Sequence, residues 1–252
     1  MMQRCLFRRI LQCAAAIVIA TTLLAAQPTQ PIKIVLVGDS TVATGGGWGL
    51  GFCALPTPGV ACIDDALNGR SSRSFIREGA WRRALSEEGQ YYFIQFGHND
   101  QKPGESRHTD PETTYPQTLR RYVEDVRAIG GVPILVSPLS RRNYKDGQLV
   151  KDGQLVKDGL ADYAAAARKL AAEEHVPFVD LYRLSHELLR GMTQQQADQF
   201  DMQGHPDAKA ENSSATRPDR THLNEHGKTV FGQMVATEVR RVVPALAPYL
   251  RG

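Results

Sequence analysis

The sequence predicts an α/β protein built on a doubly wound, mostly parallel sheet of five strands. Three observations carry that prediction. Apolar, β-branched runs alternate with stretches of helical length, the runs are too continuous to leave one face wet, and three of them stop at a glycine among polar residues. In a parallel sheet such ends share one edge, so polar residues from distant segments meet in one crevice.

The first run, Ile32 to Val37, stops at Gly38-Asp39-Ser40-Thr41 and delivers Ser40 to that edge. Gly38 permits a sharp turn, and a helix beginning after Ser40 would aim its free N–H groups at whatever the serine attacks. An N-cap without chemistry is the competing reading of these residues. Gly45 to Gly51 follows as a glycine loop. Gly49, Gly51 and Ala54 fit a G-x-G-x-x-A dinucleotide spacing, but they lie well past the strand-to-helix turn where that fingerprint belongs. Val60 to Leu67 is a second strand, ending at Asn68-Gly69-Arg70-Ser71, and Ala80 to Glu88 is helical. Tyr91 to Phe96 is a third strand, ending at Gly97-His98-Asn99-Asp100. Pro116 to Ile129 is a helix with Leu119, Tyr122, Val123 and Val126 on one face and Gly130-Gly131 as its stop. Val132 to Val136 is the fourth strand, Leu160 to Glu174 an alanine-rich helix, Phe178 to Leu181 the fifth strand, and Asn224 to Val243 a closing helix ended by Pro244.

Between the fourth strand and the alanine-rich helix, Lys145 to Val150 is repeated without change as Lys151 to Val156, and a third Lys-Asp-Gly starts at Lys157. Asp-Gly is the turn pair of tight hairpins, and six added residues preserve a two-residue period. The second copy is expected to be a surface insertion without chemistry.

The N-terminus differs in kind. Arg4, Arg8 and Arg9 precede a mildly apolar run from Cys13 to Ala26 that ends in small residues, which reads as a secretory signal over residues 1–26; an uncleaved anchor is the alternative. Residues 27–252 are then expected to form one domain of a secreted or periplasmic protein. The signal carries three of the 30 basic side chains and none of the 27 acidic ones, so without it the formal charge of +3 falls to zero. A neutral chain without a basic stripe gives no reason to expect nucleic acid as partner. Of four cysteines only Cys53 and Cys62 remain, and in an oxidising compartment they suggest one disulfide, with two buried thiols as the alternative.

Acyl transfer needs a nucleophile, a base, an orienter for the base, and donors aimed at the oxyanion. Each is available at an element end. Ser40 supplies the hydroxyl; Asp219-Arg220-Thr221-His222 puts a carboxylate and an imidazole three residues apart before a helix, where one helical turn would set them side by side. The N–H groups of Ser40 and Gly69 and the amide of Asn99 would form the oxyanion hole, Asn99 donating without a titrating charge. No cofactor or metal is required.

The four blocks Gly38-Asp39-Ser40-Thr41, Asn68-Gly69, Gly97-His98-Asn99-Asp100 and Asp219 to His222 resemble, in order, those of the SGNH (GDSL) hydrolases. Within that superfamily, Gly-Asp-Ser-Thr-Val, Gly-Trp-Gly, Asn-Gly-Arg-Ser, Gly-His-Asn-Asp and Thr-His-Leu-Asn look most like the rhamnogalacturonan acetylesterases. The resemblance implies a flavodoxin-like, three-layer α/β/α fold, Ser40, Asp219 and His222 as triad, Ser40, Gly69 and Asn99 as oxyanion donors, and an acetylated plant polysaccharide as substrate. Deacetylation of xylan and a lipolytic esterase are the alternatives within the superfamily. The repeated hexapeptide departs from the family pattern.

Other residues carry two readings each. Trp48 stacks on a sugar ring or packs its own loop; His98 and Asp100 brace the Asn99 loop or, for His98, touch substrate; Arg70, Arg73 and Arg77 bind an acidic sugar or form a solvated basic face. His222-Leu223-Asn224-Glu225-His226 also has the H-x-x-E-H spacing of inverted zinc proteases, a reading that leaves Ser40, Asn99 and Asp219 unexplained. A non-catalytic carbohydrate-binding module would keep Trp48 and need none of the triad.

Overall fold

The alternation of side chains along the central strands sorts the core into two clusters, one on each face of the sheet. In the structure, a computed structural model that describes residues 31–104, 106–150, 159–202 and 219–252, β1 (Lys33–Gly38) presents Ile34 and Leu36 to one cluster and Val35 and Val37 to the other. The expected signal, the second copy of the hexapeptide and residues 203–218 lie outside the described residues.

The chain continues through α1 (Gly49–Cys53), β2 (Ala61–Asp64), α2 (Ser72–Arg77), α3 (Ala80–Leu85), β3 (Tyr91–Gln95), α4 (Thr114–Ala128) and β4 (Val132–Val136). A hairpin of β5 (Tyr144–Lys145) and β6 (Gln148–Leu149) leads to α5 (Leu160–Glu173), β7 (Phe178–Val179), α6 (Leu181–Arg190), α7 (Gln194–Ala197), β8 (Asp201–Met202), β9 (Asp219–Leu223) and α8 (Glu225–Val242). Five strands form a parallel sheet in the order β2-β1-β3-β4-β7, with Leu36 beside Phe93 and Val37 beside Ile94. Phe52 of α1, Leu181 and Leu189 of α6, and Phe231, Val235 and Val239 of α8 cover one face. Phe75 of α2, Trp81 of α3, Leu119 to Val126 of α4, and Tyr163 to Ala171 of α5 cover the other. Each such side chain contributes roughly 1.5–3 kcal/mol by leaving water, which is why the layers close from both sides. The result is the expected three-layer α/β/α architecture.

Two local expectations are corrected. No helix begins after Ser40: Val42 and Ala43 both return to the Asp39 carbonyl at 3.1 Å, and α1 starts only at Gly49. Three consecutive glycines, Gly45 to Gly47, each cost a helix about 1 kcal/mol, so the chain takes a compact turn instead. Asp219 and His222 sit on a strand, β9, rather than on a helical turn; β9 pairs antiparallel with β8 through a bulge. Elsewhere the expected elements form within a few residues, and Asn224 caps α8 by accepting from Gly227 N–H at 2.9 Å. Cys53 and Cys62 are disulfide-bonded and tie α1 to β2. The first hexapeptide copy makes the β5–β6 hairpin, with Asp146 and Gly147 both at positive φ, as a tight Asp-Gly turn requires.

Candidate active site

Ser40 follows the last residue of β1 by two positions, on a turn whose shape is set by its neighbours. The buried Asp39 carboxylate accepts from the Thr41 N–H at 2.9 Å and the Thr41 hydroxyl at 2.7 Å. Thr41 in turn accepts from the Gln95 amide at 2.7 Å, and the Gln95 carbonyl oxygen accepts from the Trp48 indole at 2.7 Å. Burial pushes the Asp39 carboxyl above its ordinary pKa, against the opposing pull of the Thr41 hydrogen bonds. This chain overturns the sugar-stacking role for Trp48. The ring is fully buried against Phe52, and its one polar atom is consumed by Gln95.

The second wall is β9. His222 Nδ1 meets Asp219 Oδ2 at 2.6 Å, and His222 Nε2 meets Ser40 Oγ at 2.7 Å, the serine and histidine standing 182 positions apart in sequence. With Nδ1–H donating to the carboxylate, Nε2 is left to accept the serine proton. The other Asp219 oxygen accepts the N–H groups of Thr221 and His222, both at 3.0 Å. That turn, rather than helical spacing, folds the carboxylate back onto its own histidine. Although burial opposes ionisation, the hydrogen bonds from the His222 side chain and backbone hold the Asp219 carboxyl well below the usual carboxylate range. Gly46 makes the seat for the ring: a Cβ there would lie 2.9 Å from His222 Cβ and 3.2 Å from ring carbons, and the Gly46 carbonyl accepts from Leu223 N–H at 2.8 Å.

Behind β9 stands a group that the sequence reading missed. The fully buried Arg142 donates to the backbone carbonyl of His222 at 2.6 Å and of Asp219 at 3.2 Å, and its Nε pairs with the buried Asp201 carboxylate. Burial lowers the Arg142 pKa and pushes Asp201 up to about 6, each against the attraction of the other. One guanidinium thus anchors the backbone of both the imidazole and its carboxylate. The signal available was position: Arg142 lies six residues past β4, at the same sheet edge, but without the glycine that marks the other strand ends.

The third wall joins the ends of β2 and β3. Asn99 Nδ2 donates to the Arg70 carbonyl at 3.1 Å, and Asp100 accepts from Ser72 N–H, the Ser72 hydroxyl, the Thr109 hydroxyl at 2.8 Å and Gly97 N–H at 3.1 Å. Burial raises the Asp100 pKa to about 6, against these donors. Asp100 is therefore the brace that locks the Asn99 loop to the Gly69 loop. Gly69 adopts φ +76, and among the described residues the N–H groups of Gly69 and Ser40 donate to no protein group. His98 is buried, and burial, with the nearby charges of Arg141, His222 and Lys102, holds its pKa well below the usual value, so the ring is neutral. Arg70 stays half-exposed beside the site, pairing with Glu78 at 2.9 Å and folding onto the Asn68 carbonyl. His226 stacks on Phe200, and among the described residues no group of three or more His, Cys, Asp or Glu is arranged to hold a metal.

The arrangement can abstract a proton from Ser40, hold the resulting imidazolium, and present N–H donors from two further loops. Comparison with known proteins agrees with that chemistry. The GDSL-like lipase/acylhydrolase family model matches residues 36–230. The chain is 36% identical over 161 residues to the probable rhamnogalacturonan acetylesterase YesY of Bacillus subtilis, spanning 60% of this chain and 71% of that one. It is 31% identical over 235 residues to the rhamnogalacturonan acetylesterase RhgT of the same organism, spanning 88% and 95%. The crystal structure of Bacillus subtilis YxiM superposes with a TM-score of 0.63 at 22% identity, covering 85% of this chain and 58% of that one.

Proposed function

The chain belongs to the GDSL-like lipase/acylhydrolase family, and from that premise we propose that it removes acetyl groups from rhamnogalacturonan or a related pectic polysaccharide through an acetyl-enzyme on Ser40. It is a carboxylic ester hydrolase acting on acetylated polysaccharide. The observation that carries the proposed mechanism is the hydrogen-bonded chain Ser40–His222–Asp219 at the carboxyl edge of the sheet.

Ser40 Oγ attacks the acetyl carbonyl while His222 Nε2 takes its proton, and Asp219 holds the ring in the tautomer that leaves Nε2 free to do so. The N–H groups of Ser40 and Gly69 and the amide of Asn99 receive the oxyanion. Collapse of the tetrahedral adduct expels the sugar hydroxyl, which takes the proton from His222. Water then attacks the acetyl-enzyme by the same route and releases acetate. The Asp100 brace supports this reading, since it fixes two of the three donors relative to each other before substrate arrives. The proposal includes export, supported by the arginines and apolar run before Ala26 and by a disulfide suited to an oxidising compartment.

The test is acetate release from acetylated rhamnogalacturonan, acetylated xylan and p-nitrophenyl esters of increasing length. Rhamnogalacturonan is expected to be deacetylated fastest among the polymers, and p-nitrophenyl acetate to be cleaved faster than the octanoate. A kcat/KM that rises with chain length, as about 0.8 kcal/mol per buried methylene would dictate in a lipid-binding trench, replaces this reading with a lipolytic one.

A further inference from the structure

A groove of about 410 Å³ runs between α2 and α4, lined by Arg73, Ile76, Arg77, Gln117, Thr118 and Arg121. Arg73, Arg77, Gln117 and Arg121 are exposed, while Ile76 and Thr118 form a less exposed floor. The lining holds three guanidinium groups and no carboxylate; just outside it Asp125 stands 3.6 Å from Arg121 Nε and also accepts from the Trp81 indole at 2.8 Å. The groove therefore carries a local positive excess although the chain after residue 26 has no formal net charge.

Its position links it to the catalytic edge. Arg73 stands in the first turn of α2, three residues after Arg70, whose carbonyl holds the Asn99 amide. A second link runs through the loop after β3. Arg107 reaches the Gly69 carbonyl at 3.5 Å, and the adjacent Ser106 carbonyl accepts from Arg77 at 3.2 Å. Arg107, Arg77, Arg73 and Arg121 thus form a basic track leading from the Gly69 loop into the groove. The mixture suits a sugar acid: aliphatic and hydroxyl groups on the floor, amide and guanidinium groups on the rim, and planar forks that match a carboxylate.

We propose that this groove is an outlying subsite that binds the carboxylate of an acidic sugar in the same polymer whose acetylated residue lies at Ser40. The proposal deepens, and rests on, the reading of the substrate as an acetylated polysaccharide. It assigns to the helix pair α2–α4 the recognition of charge, and to the Ser40 crevice the recognition of the ester. A small ester reaches only the crevice and gains nothing from the groove.

The experiment compares wild type with the double variant Arg73→Gln, Arg121→Gln, two exposed substitutions outside the crevice. Binding of de-esterified oligogalacturonate and of neutral xylo-oligosaccharide is measured by calorimetry at low and high salt, with kcat/KM on p-nitrophenyl acetate and KM on acetylated rhamnogalacturonan alongside. The subsite predicts that the variant weakens oligogalacturonate binding about three- to tenfold at low salt, the size expected of two exposed ion pairs, with the difference shrinking at high salt. KM on acetylated rhamnogalacturonan rises in step, and p-nitrophenyl acetate hydrolysis stays within twofold. Equal oligogalacturonate binding by wild type and variant overturns the subsite, as does wild type binding the neutral oligosaccharide equally well. Arginine-dependent binding without any acetate release from acetylated rhamnogalacturonan overturns the substrate reading and leaves the subsite standing.

Discussion

The serine wall and the histidine wall of the crevice are held by opposite means. On the serine wall, Asp39, Thr41, Trp48 and Gln95 form a chain with one carboxylate and no cation, and three of the four residues lie within ten positions of one another. On the histidine wall, a buried ion pair between Arg142 and Asp201 anchors the carbonyls of Asp219 and His222 from 77 to 80 residues away. A turn shaped by short-range hydrogen bonds keeps its geometry wherever the strand goes. A bulged, two-stranded ribbon does not, and it needs a rigid multivalent donor from another part of the fold.

The largest expected effect tests whether the two walls act as one unit. Ser40→Ala and His222→Ala should each lower kcat on p-nitrophenyl acetate by at least about 10⁴-fold, and the double variant should lose little more than either alone, because neither residue is useful without the other. Losses that multiply would separate the walls and break the triad assignment. All three proteins should keep the wild-type circular dichroism spectrum, since neither side chain supports the core.

The next effect sharpens the contrast itself. Arg142→Met strands a buried carboxylate and two carbonyls, and should cost about 3–5 kcal/mol of stability. Thr41→Val removes hydroxyl bonds on the serine wall and should cost about 1–3 kcal/mol. Denaturant titration gives both numbers. Adding Asp201→Leu to Arg142→Met should restore much of the stability, because the unpaired charge is gone, but not kcat, because the carbonyls of Asp219 and His222 remain unanchored. Recovery of both would reduce Arg142 to a structural residue.

The same contrast explains what the sequence revealed. Strands, main helices and the three chemical blocks at strand ends were legible because each is marked locally, by β-branched runs, apolar faces or a glycine among polar residues. The Asp219–His222 pairing was legible too, although for a helical geometry that the strand and its Asp219 turn replace. Trp48 was left with two readings, sugar stacking or loop packing, because a glycine-flanked aromatic is ambiguous in a linear string, whereas the burial that decides for packing depends on Gln95 from another strand. Arg142 and Asp201 were invisible for a related reason. A buried arginine differs from a surface one only through partners distant in sequence, and no local spacing records them.

The smallest effect probes whether a second buried carboxyl, beside the serine wall, is kept neutral. Asp64, at the end of β2, lies close behind Gly49: a Cβ on that glycine would stand 2.6 Å from Asp64 Oδ2, and this oxygen has no hydrogen-bond partner among the described residues. Its other oxygen accepts from Ala66 N–H at 3.1 Å. Burial pushes the Asp64 carboxyl up to about 7, against the pull of the Ala66 N–H. The folded protein therefore keeps a proton there up to about pH 7, while the unfolded chain releases it near the ordinary aspartate value of 3.8. Between those limits the folded state binds more protons, so this group makes stability fall as pH rises, with the full cost present above pH 7. Asparagine cannot titrate. Asp64→Asn should match wild type in Tm near pH 4 and exceed it by a few degrees at pH 8. A Tm difference that is flat across this range, or that favours wild type at pH 8, would mean that Asp64 is ionised in the folded protein and that a second buried carboxylate stands beside the serine wall without a cation.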